Sequence, residues 1–270
     1  MNAMKTPATS TPWAHDRQTG ARIALSCLDL TSLNDADTEA DIARLCQRAQ
    51  GPCGLVAAVC VWPRLAAFAR AQLPATIRVA AVANFPHGNT DVDAAVRDTV
   101  QIVRAGAQEV DVVLPYKALM AGNDAAVTDL LTSVRQACPG LTLKVILETG
   151  ELQTAELIGR ASQLALSAGA DFLKTSTGKT AVNATPEAAR LMLSAIANHP
   201  SAKYYAGFKA SGGIRTVQDA IDYAALTQQF LGADAVNPKR FRIGASSLLN
   251  DIEAVLNPSG GSAPEPASAY

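Results

Sequence analysis

Apolar runs of four to seven residues recur along the chain, and each closes into a polar or glycine-bearing exit. Residues 23–28, 55–61, 77–83, 109–114, 142–147 and 171–174, a run ending at Lys209, and Phe241–Ala245 read as strands. Helical periodicity fills the intervals. Asp37 opens a helix through residue 49, Pro63 suits the first turn of another, and Thr90 caps a third that stops at Gly106. In that third helix Val92, Ala95, Val96, Val100 and Val103 form a single apolar stripe. Residues 124–137, a Thr154-capped segment, Pro186 through residue 197 and a segment starting at Thr216 supply the remaining helices.

The strand markers Leu28, Val59, Val82, Asp111, Val145, Lys174, Lys209 and Ile243 recur at intervals of 23 to 35 residues. The strands are nearly continuous in apolar residues rather than alternating, which describes a parallel sheet covered by helices. Gly106, Gly169 and Gly232 each end a helix and stand 63 residues apart, the length of two strand–helix units. A glycine there can take the positive φ that ends a helix. The architecture expected is an α/β fold, a single-domain (β/α)8 barrel over residues 21–256. A mobile leader at residues 1–20 precedes it, and a flexible tail rich in Pro, Ser and Gly follows at residues 257–270.

The full chain has 270 residues, enough for one such barrel, with 49% apolar residues and a net charge of -1. That balance argues against a nucleic-acid partner. No apolar stretch is long enough for a membrane span, and the first twenty residues lack a secretory pattern, so the expected location is cytoplasmic. Five cysteines (Cys27, Cys46, Cys53, Cys60 and Cys138) lack zinc-ligand spacing and read as reduced thiols, with no metal expected.

In a barrel of this type the active site lies at the C-terminal ends of the strands. The polar residues in or just after them are Asp29, Thr31, Asp111, Lys144, Lys174 and Lys209. Lys174 and Lys209 each end an apolar strand before a glycine-bearing loop. Two ammonium charges about 6 Å apart at an effective dielectric near 20 repel by about 3 kcal/mol, on the order of two pKa units. Desolvation acts in the same direction, so one amine becomes a nucleophile toward carbonyls and forms a Schiff base. Asp111 can shuttle protons and Lys144 can hold its charge. The rival reading is a buried Asp–Lys network that only braces the barrel.

Three successive loops also carry glycines, hydroxyls and positive charge. They contain Gly178 and Lys179, then Gly212 and Gly213, then Gly244, Ser246 and Ser247. Such loops around one mouth suit a phosphate, which makes the substrate class a small phosphorylated carbonyl compound.

The sequence resembles the deoxyribose-phosphate aldolases, class I aldolases. The resemblance is carried by Leu28-Asp29-Leu30-Thr31, Asn84-Phe85-Pro86, the Glu109 to Tyr116 and Leu143 to Thr149 stretches, Lys174 through Lys179, Gly207-Phe208-Lys209, Gly212 through Thr216, and Phe241 through Ser247. It implies reversible cleavage of 2-deoxy-D-ribose 5-phosphate to acetaldehyde and D-glyceraldehyde 3-phosphate, without metal or other cofactor, in a chain that can form a homodimer. It also implies that Lys174 carries the Schiff base, Lys209 lowers its pKa and relays protons, and Asp111 is the acid/base partner. Gly178, Lys179, Gly212, Gly213, Ser246 and Ser247 would then bind phosphate. Some family members also end in a tyrosine proposed to reach the site from a mobile tail, and this chain ends in Tyr270. Ala210 and Ser211 depart from the expected residues before the glycine pair. The alternatives are a ketose-type Schiff-base aldolase or transaldolase on the same barrel, and a non-catalytic sugar-phosphate sensor.

Overall fold

The structure, a computed structural model, describes residues 16–258. Eight parallel strands close into one barrel in sequence order: β1 (Leu28–Thr31), β2 (Ala58–Val61), β3 (Arg78–Ala83), β4 (Glu109–Val113), β5 (Thr142–Ile146), β6 (Phe172–Lys174), β7 (Gly207–Ser211) and β8 (Phe241–Ala245). β8 pairs with β1, so among the described residues the sheet has no open edge. The expected (β/α)8 architecture is therefore the observed one.

The helices start where short polar side chains can take the unpaired first-turn N–H groups. Thr38 and Thr216 form reciprocal capping boxes with Asp41 and Asp219, ahead of Glu39–Arg48 and Val217–Leu231. Asn123, Thr154 and Thr185 cap Asp124–Ala137, Ala155–Ser167 and Pro186–Asn198. Asp91 rather than Thr90 caps Val92–Arg104, because the Asp91 carboxylate is the side chain that accepts the Ala94 N–H. The apolar stripes of these helices pack on the outside of the strands and form the main core. A second, smaller core of Leu33, Cys60, Ala80 and Val82 fills the β2–β3 side of the barrel interior, against Trp62 and Phe85.

The N-terminal reading needs correction. Residues 23–28 are not the first strand: Arg17–Ser26 is a helix capped by Asp16, and β1 begins at Leu28. Residues 17–20, expected as part of the leader, belong to this helix. An apolar run of Ile23, Ala24 and Leu25 fits either period, and burial of Gly20, Ala21, Ala24 and Leu25 follows the helical one. Gly20 allows the close approach, since a Cβ there would lie 2.3 Å from Ile221 Cδ1 in the Val217–Leu231 helix. Short helices at Tyr116–Met120 and Thr149–Leu152, and Leu248–Leu256 after β8, were not anticipated. Residues 1–15 and Tyr270 lie outside the described residues.

Strand register sets the site. Lys174 is paired with Lys209, Asp111 with Lys144, and Lys209 with Arg242. Side chains alternate along each strand, so Phe172 and Lys174 share the inner face of β6, as Gly207 and Lys209 do on β7. The space left by Gly207 is not empty. A Cβ at Gly207 would lie 2.4 Å from Phe172 Cε1 and 2.6 Å from the Arg240 carbonyl oxygen. Gly207→Ala should thus lower stability by about 1–3 kcal/mol through overpacking. Chemical denaturation of the variant checks this; an unchanged midpoint would mean that the Phe172 ring is not held against this backbone.

Candidate active site

Lys174 lies at the end of β6, 2% exposed, and its Nζ donates to Asp111 Oδ2 at 3.0 Å. Lys209 donates to the same Asp111 oxygen at 2.8 Å and to Asp29 Oδ2 at 2.5 Å. Lys144 donates to Asp111 Oδ1 at 2.7 Å. The three lysines expected at the strand ends therefore converge on the Asp111 carboxylate.

Burial would raise the Asp111 carboxyl, but the ammoniums of Lys144, Lys209 and Lys174 hold it well below the usual carboxylate range. Lys144 and Lys209 are pulled in the other direction. Burial opposes their charge, yet Asp111 and Glu109 raise the first, and Asp111 and Asp29 raise the second. Lys174 differs from both. Burial and then the Lys209 ammonium lower its amine below the ordinary lysine value, and a share of Asp111 only partly offsets them. One amine of the cluster is thus the easiest to deprotonate, and it is the one nearest the barrel mouth along its strand.

Thr31, also buried, donates its hydroxyl to the Asp29 carbonyl oxygen at 2.8 Å, which holds the end of β1 rather than leaving a free donor. The Cys60 thiol lies 3.9 Å from Asp111 Oδ2, and burial pushes it up to about 11. Cys60 is fully buried and faces the interior from β2.

Across Gly244 from the Lys209 stem is a cavity of about 630 Å3. Gly178, Gly212, Gly213, Gly244, Ser246 and Ser247 all line it, with Ser211, Arg215 and Asn183. The glycine pair is required by the turn itself: Gly212 and Gly213 have φ of 86° and 81°. Gly244 joins the cavity to the lysines, since a Cβ there would lie 3.1 Å from Lys209 Cε and 2.7 Å from Ser211 Oγ. The Leu248–Leu256 helix starts directly after Ser247, so this cavity has the glycine loops and short extra helix that suit a phosphate in a barrel mouth. Lys179 is placed differently. Its Nζ donates to the Leu33 carbonyl oxygen at 2.9 Å, and it is not among the cavity's lining residues.

Three further charged residues escaped the sequence reading of the site. Arg242 donates to Asp29 Oδ1 at 2.6 Å and to Glu109 Oε1 at 2.8 Å, and Lys144 lies 2.5 Å from Glu109 Oε2. Glu148, fully buried with φ 58°, accepts the Thr177 N–H at 3.2 Å and the Thr177 hydroxyl at 2.5 Å. Burial raises its carboxyl despite those hydrogen bonds. Glu148 thereby ties the exit of β5 to the loop that leaves Lys174. The signal available for Glu109 and Arg242 was the one used for Asp111, a charged residue in a strand of apolar neighbours.

Comparison with known proteins gives a consistent result. The sequence profile described as DeoC/LacD family aldolase matches residues 23–254. A protein described as a deoxyribose-phosphate aldolase from Toxoplasma gondii ME49 superposes with a TM-score of 0.83 at 25% identity, over 90% of this chain and 96% of that one. One from Coccidioides immitis is 31% identical, with a TM-score of 0.75 over 84% of this chain and 85% of that one. The tetrameric deoxyribose phosphate aldolase of Aeropyrum pernix is 26% identical, with a TM-score of 0.69 over 87% of this chain and 91% of that one. The closed barrel with its buried amines is that of an aldolase, a carbon–carbon lyase. The chain belongs to the DeoC/LacD aldolase family. Among the described residues no helix is long and apolar enough to cross a membrane.

The buried charges also fix an acid limit to stability. Asp29, Glu109 and Asp111 are all lowered in the folded chain: burial opposes this, and the surrounding Lys144, Lys209 and Arg242 outweigh it. A carboxylate lowered on folding contributes stability above its unfolded value, about 4, and that contribution is lost as pH falls toward the folded value. The melting temperature should therefore hold between pH 6 and 8 and drop steeply below about pH 4. A flat profile down to pH 3 in a thermal melt series would contradict this pairing.

Proposed function

We propose that the chain cleaves 2-deoxy-D-ribose 5-phosphate reversibly to acetaldehyde and D-glyceraldehyde 3-phosphate, with Lys174 as the Schiff-base residue. The observation that carries this reading is the placement of Lys174 and Lys209 on one oxygen of Asp111, with only the first amine held below its ordinary value.

The neutral Lys174 amine attacks C1 of the open-chain sugar, and loss of water leaves an iminium. Asp111, 3.0 Å from that nitrogen, is the counter-charge that stabilises the new cation. Removal of the proton from the C3 hydroxyl lets the C2–C3 electron pair move toward the iminium nitrogen. The bond breaks, glyceraldehyde 3-phosphate departs, and an enamine of acetaldehyde remains on Lys174. Protonation at C2 and addition of water then release acetaldehyde and restore the amine. Lys209 and Asp111, joined by a 2.8 Å hydrogen bond, are the groups through which these protons pass. Lys144 holds Asp111 from its other oxygen, and Asp29 holds Lys209, so both relay groups are fixed in orientation.

The 5-phosphate belongs in the cavity lined by Gly178, Gly212, Gly213, Ser246 and Ser247. Arg215 adds a positive charge to its lining, and Asp251, which accepts the Val217 N–H, a negative one. Lys179 contributes by holding the loop to Leu33. Binding of the phosphate some distance from C1 positions the reacting carbon against Lys174, so binding energy from the unreactive end is used for orientation.

Borohydride reduction in the presence of acetaldehyde should leave a stable adduct on the Lys174 peptide, and Lys174→Ala should lose both the adduct and retro-aldol turnover while keeping its circular dichroism spectrum. Turnover of deoxyribose 5-phosphate should be unaffected by chelator. Trapping by dihydroxyacetone phosphate instead would favour the ketose-type aldolase, and an adduct-free wild-type chain would sink the Schiff-base reading.

A further inference from the structure

The barrel interior holds seven buried charged side chains in one connected set: Asp29, Glu109, Asp111, Lys144, Lys174, Lys209 and Arg242. The carboxylate oxygens are distributed in a definite way. Asp29 gives one oxygen to Arg242 and the other to Lys209, at 2.6 and 2.5 Å. Glu109 accepts from Arg242 at Oε1 (2.8 Å), and its Oε2 is shared between Lys144 at 2.5 Å and Arg242 at 3.2 Å; Lys144 also lies 3.6 Å from Asp29 Oδ2. Asp111 gives one to Lys144 at 2.7 Å and the other to Lys209 at 2.8 Å, and only that last oxygen is shared with Lys174.

We propose that Arg242 and Glu109 are positioning residues for the reaction: they complete the set of charges beneath the barrel mouth, so that three carboxylates are matched by three cations and Lys174 is the cationic side chain left over. The assignment rests on Lys174 being the Schiff-base residue. Neither Arg242 nor Glu109 contacts Lys174 in the geometry described, and neither lines the cavity. Their effect passes through Asp29 and Lys209 on one path and through Lys144 and Asp111 on the other.

Glu148 stands apart from the set: burial raises its carboxyl, Thr177 and Thr180 donate to it, and it makes no ion pair with these cations. Among the seven ion-paired groups the count is neutral when Lys174 is an amine and carries one excess positive charge when Lys174 is an ammonium. In a dry interior an uncompensated charge is costly, so the neutral count is preferred. Removal of the Arg242 charge reverses the preference. Asp29 and Glu109 then lose their common partner, and the set reaches neutrality by protonating Lys174. Removal of both Arg242 and Glu109 charges restores the original balance.

The groups that face Lys174 are Lys209 from β7, Asp111 from β4, Cys60 from β2 and Glu148 at the exit of β5. Those that face Arg242 are Asp29 from β1, Glu109 from β4 and the Phe172 ring of β6, whose centroid is 5.7 Å from the guanidinium carbon. Arg78 of β3 also approaches Glu109, at 3.6 Å, but its side chain is 49% exposed and its charge is screened by water. None of the others supplies a second cation to replace Arg242 within the barrel.

The test reads the protonation of Lys174 directly and requires no aldol substrate. The full-length chain and its variants are reductively methylated with formaldehyde and cyanoborohydride across a pH series, and the rate at the Lys174 peptide is followed by mass spectrometry. In Arg242→Gln the midpoint should rise by about one pH unit, which slows labelling at pH 7 about tenfold. Arg242→Lys, which keeps the charge, should retain the wild-type midpoint. The double variant Arg242→Gln with Glu109→Gln should return toward it, a recovery that a purely structural role would not give. The proposal is overturned if folded Arg242→Gln has the wild-type midpoint, if Arg242→Lys shifts as the glutamine variant does, or if the double variant fails to recover. Should Arg242→Gln not fold, Glu109→Gln decides: it leaves the cations in excess, so its midpoint should fall below the wild-type one, and an unchanged midpoint overturns the proposal. A wild-type chain inactive on deoxyribose 5-phosphate would remove the reading of the reaction, while the labelling midpoints would still show whether these charges govern Lys174.

Discussion

A single carboxylate oxygen, Asp111 Oδ2, accepts from two amines that would otherwise repel each other. Coulomb repulsion between ammoniums this close is several kcal/mol at an effective dielectric near 20. The protein can hold both lysines only if their charge is matched or if one of them gives it up. Lys209 is matched by both Asp111 and Asp29; Lys174 has only its share of Asp111. The asymmetry between the two is what makes Lys174 the proposed nucleophile.

The rest of the barrel serves that arrangement. Its interior is divided: β2 and β3 contribute Cys60, Ala80 and Val82, while β4 through β8 and β1 contribute the charges. The apolar side supports a low local dielectric, in which each charge pair is stronger and each unmatched charge more costly. The helix caps and the closed sheet hold the strands in the register that pairs Lys174 with Lys209 and Asp111 with Lys144. Phe172, packed against Gly207, fills the layer beneath the two lysines and also lies against Arg242. The same register leaves Gly244, which lines the proposed phosphate cavity, next to the Lys209 stem.

Much of this was legible in the chain. Strand spacing predicted the barrel because buried parallel strands need unbroken apolar runs, and the polar residues interrupting those runs marked the interior. Lys174, Lys209, Asp111, Lys144 and Asp29 could be picked out for that reason. The N-terminal helix was misread because its three consecutive apolar residues have no period of their own; the contact of Gly20 with the Val217–Leu231 helix, some two hundred residues on, decides it. Glu109 and Arg242 were passed over because each sits near the start of its strand, where a charge ordinarily reaches solvent. Closure of β8 onto β1 and the inward pleat bury both. Lys179 was read as a phosphate residue from its charge and its loop; the structure shows its amine donating to the Leu33 carbonyl, a contact that the sequence does not signal. Glu148 gave no local sign of the φ 58° backbone that turns its carboxylate toward Thr177.

The most direct test of the account is the protonation state of residue 174 itself. Nitrogen-15 NMR of the lysine-labelled chain, assigned by single substitutions, reports each Nζ separately as pH is raised. The account predicts that Lys174 becomes a neutral amine well before the exposed lysines, while Lys144 and Lys209 remain ammoniums beyond them. A Lys174 resonance that titrates with the surface lysines near 10.4 would contradict it.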